Sequence, residues 1–178
     1  SSTSRGLGDV YKRQIVVRLA DLIDRETGPG GRIEGGYDGH EEIELALVKL
    51  ASVTAERRYL ELAVRLLENR GQDPYYFDAE SARRGHDGWA AQWFPDRHAR
   101  YERYREYGQT HKPVKEQREV VGHSVRAMYL YSGMADVAAE LGDDELRTAC
   151  EALWQDLVTH KLYITGGIGS DHTLSLIH

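Results

Sequence analysis

Two stretches of this sequence begin alike and continue alike, and this internal repeat constrains the fold more than any other feature. One begins GHEEIELALVKL at Gly39 and the other begins GHSVRAMYLYSGM at Gly122. In both, apolar residues recur every three or four positions, pause at a short break and resume, as in two successive amphipathic helices. The spacing of 83 residues between His40 and His123 (123 minus 40) is too long for tetratricopeptide or ankyrin arrays. The sequence therefore predicts an all-α fold of antiparallel helical hairpins that form part of an α/α toroid.

Helical periodicity predicts five helices along the chain. Side chains that accept hydrogen bonds from helix N-termini are expected at Asp38 and Asp143, and Gly71 and Gly142 are expected to end helices. A helical hairpin cannot bury both of its faces alone, so uncovered outer faces forgo hydrophobic stabilisation at about 25 cal/mol per Å². We therefore expect the chain on its own to aggregate or to be molten. The expected bounds of the helices are Ile15–Glu26, Gly39–Val53, Arg57–Arg70, Gln117–Leu141 and Asp144–His160.

Residues 72–116 interrupt this pattern with a long segment rich in aromatic residues. The only helix expected there is a short one at about 96–107. Loops longer than about 15 residues are uncommon and are usually functional. We expect half of the aromatic side chains to pack on the body and the others to form a platform on which sugars stack. These residues are Tyr75, Tyr76, Phe77, Trp89, Trp93, Phe94, Tyr101, Tyr104 and Tyr107.

Composition excludes several classes of protein. Asp and Glu outnumber Lys and Arg by 29 to 23, a net charge of −6, which argues against nucleic-acid binding. No apolar run approaches the roughly 20 residues that cross a bilayer, so no membrane partner is expected. Cys150 is the single cysteine, which excludes an internal disulfide and a thiolate metal cluster. Its position on the apolar face of a helix predicts an inert core thiol, and we expect a cytoplasmic protein.

The two ends of the chain differ from the patterned part between them. The first fourteen residues, SSTSRGLGDVYKRQ, show no apolar period and no hydrophobic core of a signal peptide. The last residues, LSLIH, follow an unfinished glycine turn. We interpret residues 1–14 and 174–178 as non-native tails derived from sequencing adapters, and 15–173 as a fragment of the toroid domain. A disordered native N-terminal tail and a natural C-terminus are the alternative.

His40 and His123 are the leading candidates for binding chemistry. Each follows a glycine at the predicted start of a helix, and in a toroid such helix N-termini gather at one mouth. The positive end of the helix dipole lowers an imidazole pKa, and a neutral imidazole can both donate to and accept from sugar hydroxyls. The alternative is that each histidine only caps its helix or packs. His111, in the polar loop QTHKPVKEQ, is a less specific cleft candidate.

Other motifs carry weaker signals. HEEIE, from His40 to Glu44, resembles the zinc-binding HExxH helix, but a glutamate replaces the second histidine, so we reject a zinc site there. Glu41 and Glu42 point about 100° apart on a helix, and solvation or capping is expected for both. GGIG, from Gly166 to Gly169, has neither the Lys-Ser/Thr of a phosphate-binding loop nor the glycine order of a dinucleotide site. We interpret it as a turn.

Three long blocks identify a family. They are GRIEGGYDGHEEIELALVKL, YGQTHKPVKEQREVVGHSVRAMYLYSGMADVAAELGDDEL and LYITGGIGS. With these blocks the chain resembles the β-L-arabinofuranosidase family of glycoside hydrolases (family 127) over roughly residues 15–172. The resemblance implies a fragment of the catalytic domain of a bacterial retaining exo-glycosidase that acts on terminal β-L-arabinofuranosides. It also implies an (α/α)6 toroid followed by β-sandwich modules, and an arabinofuranose-containing oligosaccharide or glycoconjugate as the partner.

The family's functional residues carry over only in part. His40 and His123 match histidines that contact the arabinofuranose, and His111 and Lys112 match a loop that lines the cleft. The family's acid/base glutamate follows the ITGGIGS turn in a Gly-Glu context, whereas this chain continues SDHTLSLIH. The zinc-bound cysteine nucleophile, the Glu-x-Cys ligands and an earlier cleft histidine have no counterpart here, and Cys150 matches none of them. We expect zinc in the full-length family member, no catalytic or metal-binding residue here, and no activity from this chain alone.

Two other classes remain open from the sequence. Sugar epimerases and unsaturated-uronide hydrolases also place histidines at the mouth of an α/α toroid, although the order of the blocks above argues against them. A non-enzymatic helical-repeat scaffold would show uniform repeats, whereas these repeats are irregular and a long aromatic segment separates them. Fold alone cannot choose among these functions, so the site has to decide.

Overall fold

The computed structural model describes residues 2–85, 104–169 and 176–177, with side chains from residue 10 onward. In this part of the chain the regular structure is helical, and the single β-bridge joins His123 to Leu176. The prediction of an all-α fold is confirmed. Shorter helical turns lie at 104–107, at Val114–Glu116 (3₁₀) and at Leu157–Lys161 (π). The helices are α1 Ser2–Thr27, α2 Ile43–Thr54, α3 Arg57–Asn69, α4 Tyr76–Arg84, α5 Ser124–Leu141 and α6 Asp144–Asp156.

Two helical hairpins, α2–α3 and α5–α6, pack side by side through α2 and α5. Gly133 lets these two helices approach closely, because a Cβ atom there would lie 3.1 Å from the Glu44 Cβ and 3.2 Å from the Leu45 nitrogen. The shared core includes fully buried side chains from every helix of the two hairpins. Burial of a large aliphatic side chain stabilises the fold by about 1.5–3 kcal/mol relative to leaving it exposed. Among them are Leu47, Leu62, Leu66, Leu130, Met134 and Leu153. This packing agrees with part of an α/α toroid, and the closed (α/α)6 ring stays a prediction.

The ends of α3, α5 and α6 follow the sequence signals. Gly71 and Gly142 adopt positive φ angles of 79° and 65° just beyond α3 and α5, where only glycine is free of strain. The side chain of Asp143 accepts a hydrogen bond from the Leu146 N–H at 3.0 Å, so the predicted cap of α6 is confirmed. These helix ends are predictable from the sequence because the groups that form each hydrogen bond or turn lie within four residues of one another.

Three predicted helix starts are wrong. The second helix begins at Ile43, and the side chain of Asp38 does not cap it but accepts from Arg70 instead. The fourth begins at Ser124 because Gln117 is fully buried in a loop, where its amide donates to the carbonyls of Gln109 and Lys112. The first begins at Ser2, so residues 2–14 continue it. The interpretation of those residues as non-native stays a prediction.

The aromatic segment contains a helix that the sequence did not predict, Tyr76–Arg84. Tyr75 and Tyr104 are buried, and their rings make an edge contact at 5.8 Å between centroids. This agrees with the expectation that part of the aromatic set packs on the body. Trp89, Trp93, Phe94, Tyr101 and most of the predicted 96–107 helix lie outside the described residues, so the sugar-stacking platform stays a prediction.

Apolar side chains also lie on the outer surface of this unit. Ile15, Val16 and Leu19 are exposed on α1, and Trp154 is 64% exposed on α6. These two apolar faces lie on the first and last helices, whose outer faces the sequence predicts to have no neighbouring helix to cover them. None of the described helices is both long enough and apolar enough to span a bilayer.

Candidate functional site

The heads of the two hairpins bring His40 and His123 together. Their ring centroids lie 6.5 Å apart with an interplanar angle of 63°. Tyr129 approaches the His40 ring at 6.3 Å, and Tyr107 approaches the His123 ring at 5.4 Å. His40 is exposed and His123 is half-buried, so the cluster opens to solvent on one side. The expectation that both histidines would face the same space agrees with this geometry.

His123 is the N-cap of α5. Its Nδ1 accepts a hydrogen bond from the Arg126 N–H at 3.4 Å, which places the proton of the neutral ring on Nε2. Burial lowers the pKa of His123, and the nearby Arg126 and His40 lower it further. A neutral ring with a free Nε2–H is therefore the form present at neutral pH, and it can donate a hydrogen bond outward.

The residue before His123 has to be glycine. Gly122 has a φ of 79°, and a Cβ there would lie 2.0 Å from the carbonyl oxygen of Glu106. The 104–110 segment holds this turn from the other side, since the His123 N–H donates to the Tyr107 carbonyl at 3.2 Å and the Gln109 amide donates to the Val121 carbonyl at 2.8 Å. The aromatic segment thus fixes the position of His123.

His40 reaches the cluster by a different route. It lies three residues before α2, in a non-helical loop, so its predicted place in the first turn of a helix is wrong. Its Nδ1 lies 3.2 Å from the Glu41 carbonyl oxygen, and because a carbonyl only accepts, Nδ1 carries the proton. The Nε2 of the neutral ring is then an acceptor. The pair therefore offers an acceptor from His40 and a donor from His123.

A buried charge cluster anchors the loop that carries His40. The Arg70 guanidinium, 1% exposed, lies 2.7 Å from the Asp38 carboxylate, 2.9 Å from that of Glu41 and 3.5 Å from that of Glu44. It also donates to the Asp38 and Gly108 carbonyls and lies 4.8 Å from the centre of the Tyr37 ring. We call Arg70 with its three carboxylates the Arg70 cluster.

The Arg70 cluster has more acidic groups than its single cation can balance. Burial raises the pKa values of Asp38, Glu41 and Glu44, and Arg70 opposes that rise in each case. The pKa of Glu44 reaches about 7, and the neighbouring Asp38 carboxylate contributes to this increase. One proton is consequently retained between Asp38 and Glu44 near neutral pH. The expectation that Glu41 is solvated is wrong, because it is fully buried.

Arg126 connects the two heads. Its Nη1 donates to the Gly39 carbonyl, and its guanidinium carbon lies 4.9 Å from the centre of the Tyr107 ring. A narrow cleft beside the pair is lined by Gly39, Arg70, Tyr107 and Arg126, and by neither histidine. The positions of the two histidines are thus tied to one another and to the Arg70 cluster beneath them.

The third candidate, His111, is not joined to this pair. None of the described hydrogen bonds or ring contacts links it to His40 or His123. Burial lowers its pKa to about 4, and its buried Nδ1 has no hydrogen-bond partner among the described residues. Lys112 beside it is exposed. The role of the loop in lining a cleft stays a prediction.

A separate groove of about 700 Å³ lies between α3, the 3₁₀ turn and the start of α6. Its lining includes Val64, Lys115 and Leu146, and none of the three candidate histidines. The groove therefore does not belong to the site that the two hairpin heads form.

Sequence reasoning missed both arginines of the site. Arg70 follows the apolar face of α3, and the three acidic residues it pairs with are spaced by three positions, at 38, 41 and 44. Carboxylates at such spacing can point the same way, and when they are buried they need a cation. Arg126 lies three residues after His123, within one helical turn. Both signals were present, but the partners are far apart in sequence.

The described residues do not fit the zinc site that the family resemblance implies. No group of three or more His, Cys, Asp or Glu in 2–85, 104–169 and 176–177 could hold a metal ion. Cys150 is half-buried against the core, and burial raises the pKa of its thiol to about 11. A protonated, shielded thiol is a poor metal ligand and a poor nucleophile.

Comparisons with known proteins agree on one family. A family model described as "Beta-L-arabinofuranosidase, GH127 catalytic domain" matches residues 7–175. The non-reducing end β-L-arabinofuranosidase of Bifidobacterium longum subsp. longum is 38% identical over 168 residues. That alignment covers 93% of this chain and 24% of the relative, so the chain spans about a quarter of the relative's length.

Solved structures give the same result. A GH127 β-L-arabinofuranosidase from Geobacillus stearothermophilus T6 is 42% identical and superposes with a TM-score of 0.81, over 93% of this chain and 25% of that one. The GH127 β-arabinofuranosidase BT3674 is 36% identical with a TM-score of 0.70, over 93% of this chain and 22% of that one. The helical fold described above is therefore shared with these proteins.

Proposed function

Because this chain belongs to the GH127 β-L-arabinofuranosidase family, we propose that it forms part of the sugar-binding wall of a retaining exo-glycosidase. The proposed substrate is a terminal β-L-arabinofuranosyl residue of an oligosaccharide or glycoconjugate. The proposed binding residues are His40 and His123. The observation that carries this proposal is the 6.5 Å separation of their rings at an exposed position.

The hydrogen-bond donor and acceptor that the two rings offer together support a sugar ligand. His123 presents a donor and His40 an acceptor, as their contacts to Arg126 and Glu41 require. A furanose carries neighbouring hydroxyls that both donate and accept, so one sugar can satisfy the two rings at once. Tyr107 and Tyr129 flank the pair and provide an apolar wall for the sugar's carbon face.

The chemistry of hydrolysis has to come from other residues. A retaining glycosidase uses a nucleophile and a second group that acts first as acid and then as base. Asp38, Glu41 and Glu44 cannot serve, because all three are held around the buried Arg70. We propose that the 178-residue chain binds the sugar but does not turn it over. The cytoplasm is the proposed compartment.

Titration of the chain with methyl β-L-arabinofuranoside, followed by the imidazole NMR signals, tests the binding role. We expect the signals of His40 and His123 to shift, and replacing either histidine by alanine to weaken binding about fivefold, the value of one neutral hydrogen bond. His160→Ala is the matched control, since that ring is exposed and, among the described residues, pairs only with Asp156. Equal shifts with methyl β-D-galactopyranoside, or unchanged binding in both alanine variants, would show the proposal to be wrong.

Hydrolysis of an aryl β-L-arabinofuranoside tests the second part of the proposal. We expect no release of the aryl group by the chain above the level of its His40→Ala variant. Turnover that depends on His40 would mean that a catalytic pair lies within these 178 residues, contrary to the proposal.

A further inference from the structure

Arg126 contacts the heads of both hairpins at once. It lies in the first turn of α5, where its backbone N–H donates to the Nδ1 of His123 at 3.4 Å. Its side chain crosses to the loop before α2 and donates to the carbonyl of Gly39, the residue that precedes His40. The two histidines come from segments 83 residues apart in sequence (123 minus 40). A side chain that joins the two segments directly therefore helps to fix the distance between the rings.

The same side chain stacks on the aromatic segment. The Arg126 guanidinium lies over the Tyr107 ring at 4.9 Å, and that ring meets the His123 ring edge-on at 5.4 Å. The carbonyl of Tyr107 also accepts from the His123 N–H at 3.2 Å. Arg126 therefore contacts Gly39, beside His40, and the Tyr107 ring, which meets the His123 ring. Its Nε makes no hydrogen bond among the described residues, so the Gly39 bond and the stacking hold it.

We propose that Arg126 is a positioning residue that sets the separation and orientation of His40 and His123, so that one ligand can bridge the two rings. The identity of that ligand as a sugar rests on the proposed function above. The positioning itself does not, since it follows from the contacts of Arg126 alone. A planar guanidinium can stack on Tyr107 and donate sideways to Gly39 at the same time, whereas a lysine ammonium has no plane with which to do both at once.

The charge of Arg126 provides a second, independent signature. Burial of the ring lowers the pKa of His123, and the nearby Arg126 cation and His40 lower it further. Tyr107 also faces His123, and Glu41 lies near enough for Arg126 to influence it. Removing the charge together with the stacked geometry, and removing the stacked geometry alone, should thus have different effects on His123.

The test compares Arg126→Met and Arg126→Lys by NMR in the 178-residue chain. A cooperative circular dichroism melt of the wild type first verifies that the chain is folded, contrary to the molten state expected from its uncovered helix faces, and the same melts verify folding of the variants. In Arg126→Met we expect the nuclear Overhauser contacts between the His40 and His123 rings to disappear. The pKa of His123 should rise once the cation is gone. In Arg126→Lys the ring contacts should also be lost, while the pKa of His123 stays low.

Arg118→Met is the matched control, because Arg118 likewise donates to backbone carbonyls, those of Lys115 and Gln117, but is exposed. It should change neither the ring contacts nor the His123 titration. Retention of the ring contacts in a folded Arg126→Met variant would overturn the proposal. If that variant does not fold, retention of both the ring contacts and wild-type affinity for methyl β-L-arabinofuranoside in Arg126→Lys would overturn it.

The sugar titration separates this inference from the proposed function. Wild-type chain that does not bind the arabinofuranoside, combined with ring contacts that vanish in Arg126→Met, contradicts the sugar role and supports the positioning role. Sugar binding that is as tight in both folded Arg126 variants as in the wild type supports the sugar role and contradicts the positioning role. Where both proposals hold, we expect the two variants to bind the sugar about fivefold more weakly or worse.

Discussion

The two hairpins share a Gly-His beginning, yet their heads are built differently. In the second hairpin Gly122 needs a positive φ, and His123 directly caps α5. In the first hairpin a Cβ on Gly39 would meet nothing within 4 Å, and α2 begins three residues after His40. The difference lies in the residues that follow. Glu41 and Glu44 are drawn inward to Arg70, whereas Ser124 and Ala127, the positions that correspond to them, carry no charge to neutralise.

This comparison shows that a repeated motif can produce the same placement by different means. His123 depends on a backbone turn held by the 104–110 segment, and His40 depends on a buried ion cluster. The arrangement at His123 is nearly neutral, whereas the Arg70 cluster beneath His40 is charged and largely buried. The two heads should therefore differ in their sensitivity to mutation and to pH.

The largest expected effect comes from removing the cation of the first head. Arg70→Met leaves three buried carboxylates without their partner, and we expect a loss of about 3–5 kcal/mol in the free energy of unfolding. Urea denaturation at pH 7, followed by circular dichroism, measures it. Arg147→Met in the second hairpin removes an exposed arginine that pairs with Asp144 and Glu151 and should cause no measurable change. Similar results for the two variants would mean that the Arg70 cluster does not anchor the first head.

A smaller effect is expected from the proton that the Arg70 cluster retains. The pKa of Glu44 is raised by burial from 4.5 to about 7, so the folded state binds a proton that the unfolded state has already released. Stability is then complete below about pH 4.5 and falls as the pH rises through about 7. Between pH 5 and pH 8 we expect Glu44 to contribute a loss on the order of 1–2 kcal/mol. The buried His111, whose pKa is lowered to about 4, contributes a gain over part of the same range, so the Glu44 contribution is measured as the difference between the wild type and Glu44→Gln.

Glu44→Gln should remove this pH dependence, because glutamine imitates the protonated carboxyl. The measurement is a series of urea melts from pH 5 to pH 8 for both proteins. Glu145→Gln, at an exposed position in the first turn of α6, should keep the wild-type slope. A pH profile of stability that is the same in the wild type and in Glu44→Gln would contradict the assignment of the retained proton.

The smallest expected effect concerns the turns that join the two helices within each hairpin. Ala55 ends α2 with a φ of 58°, and Gly142 ends α5 with a φ of 65°. A left-handed conformation costs a residue with a Cβ about 1 kcal/mol, and no neighbouring atom lies within 4 Å of a Cβ at Gly142. We expect Ala55→Gly to raise the melting temperature by a few degrees and Gly142→Ala to lower it by a similar amount. Shifts of the same sign would contradict this interpretation of the turns.

The structure agrees with the sequence where the signal was local. The bounds of α3, the cap at Asp143 and the glycine ends of α3 and α5 depend on residues within one or two helical turns. The predicted starts of α2 and α5 failed because distant groups intervene, namely Arg70 at the first and the loop around the buried Gln117 at the second. The meeting of His40 and His123 was foreseen from the repeat, but neither arginine that holds them was.

From the sequence alone follow the helical class, the hairpin repeat and the family, since each rests on periodic apolar residues and short motifs that any one segment carries. The packing of the chain adds which carboxylates are buried, which imidazole donates and which accepts, and which arginine joins the two heads. Those properties depend on desolvation and on contacts between segments up to 87 residues apart, such as the one between Arg126 and Gly39. No local pattern specifies them, because the energy of a charge is determined by the groups that replace water around it.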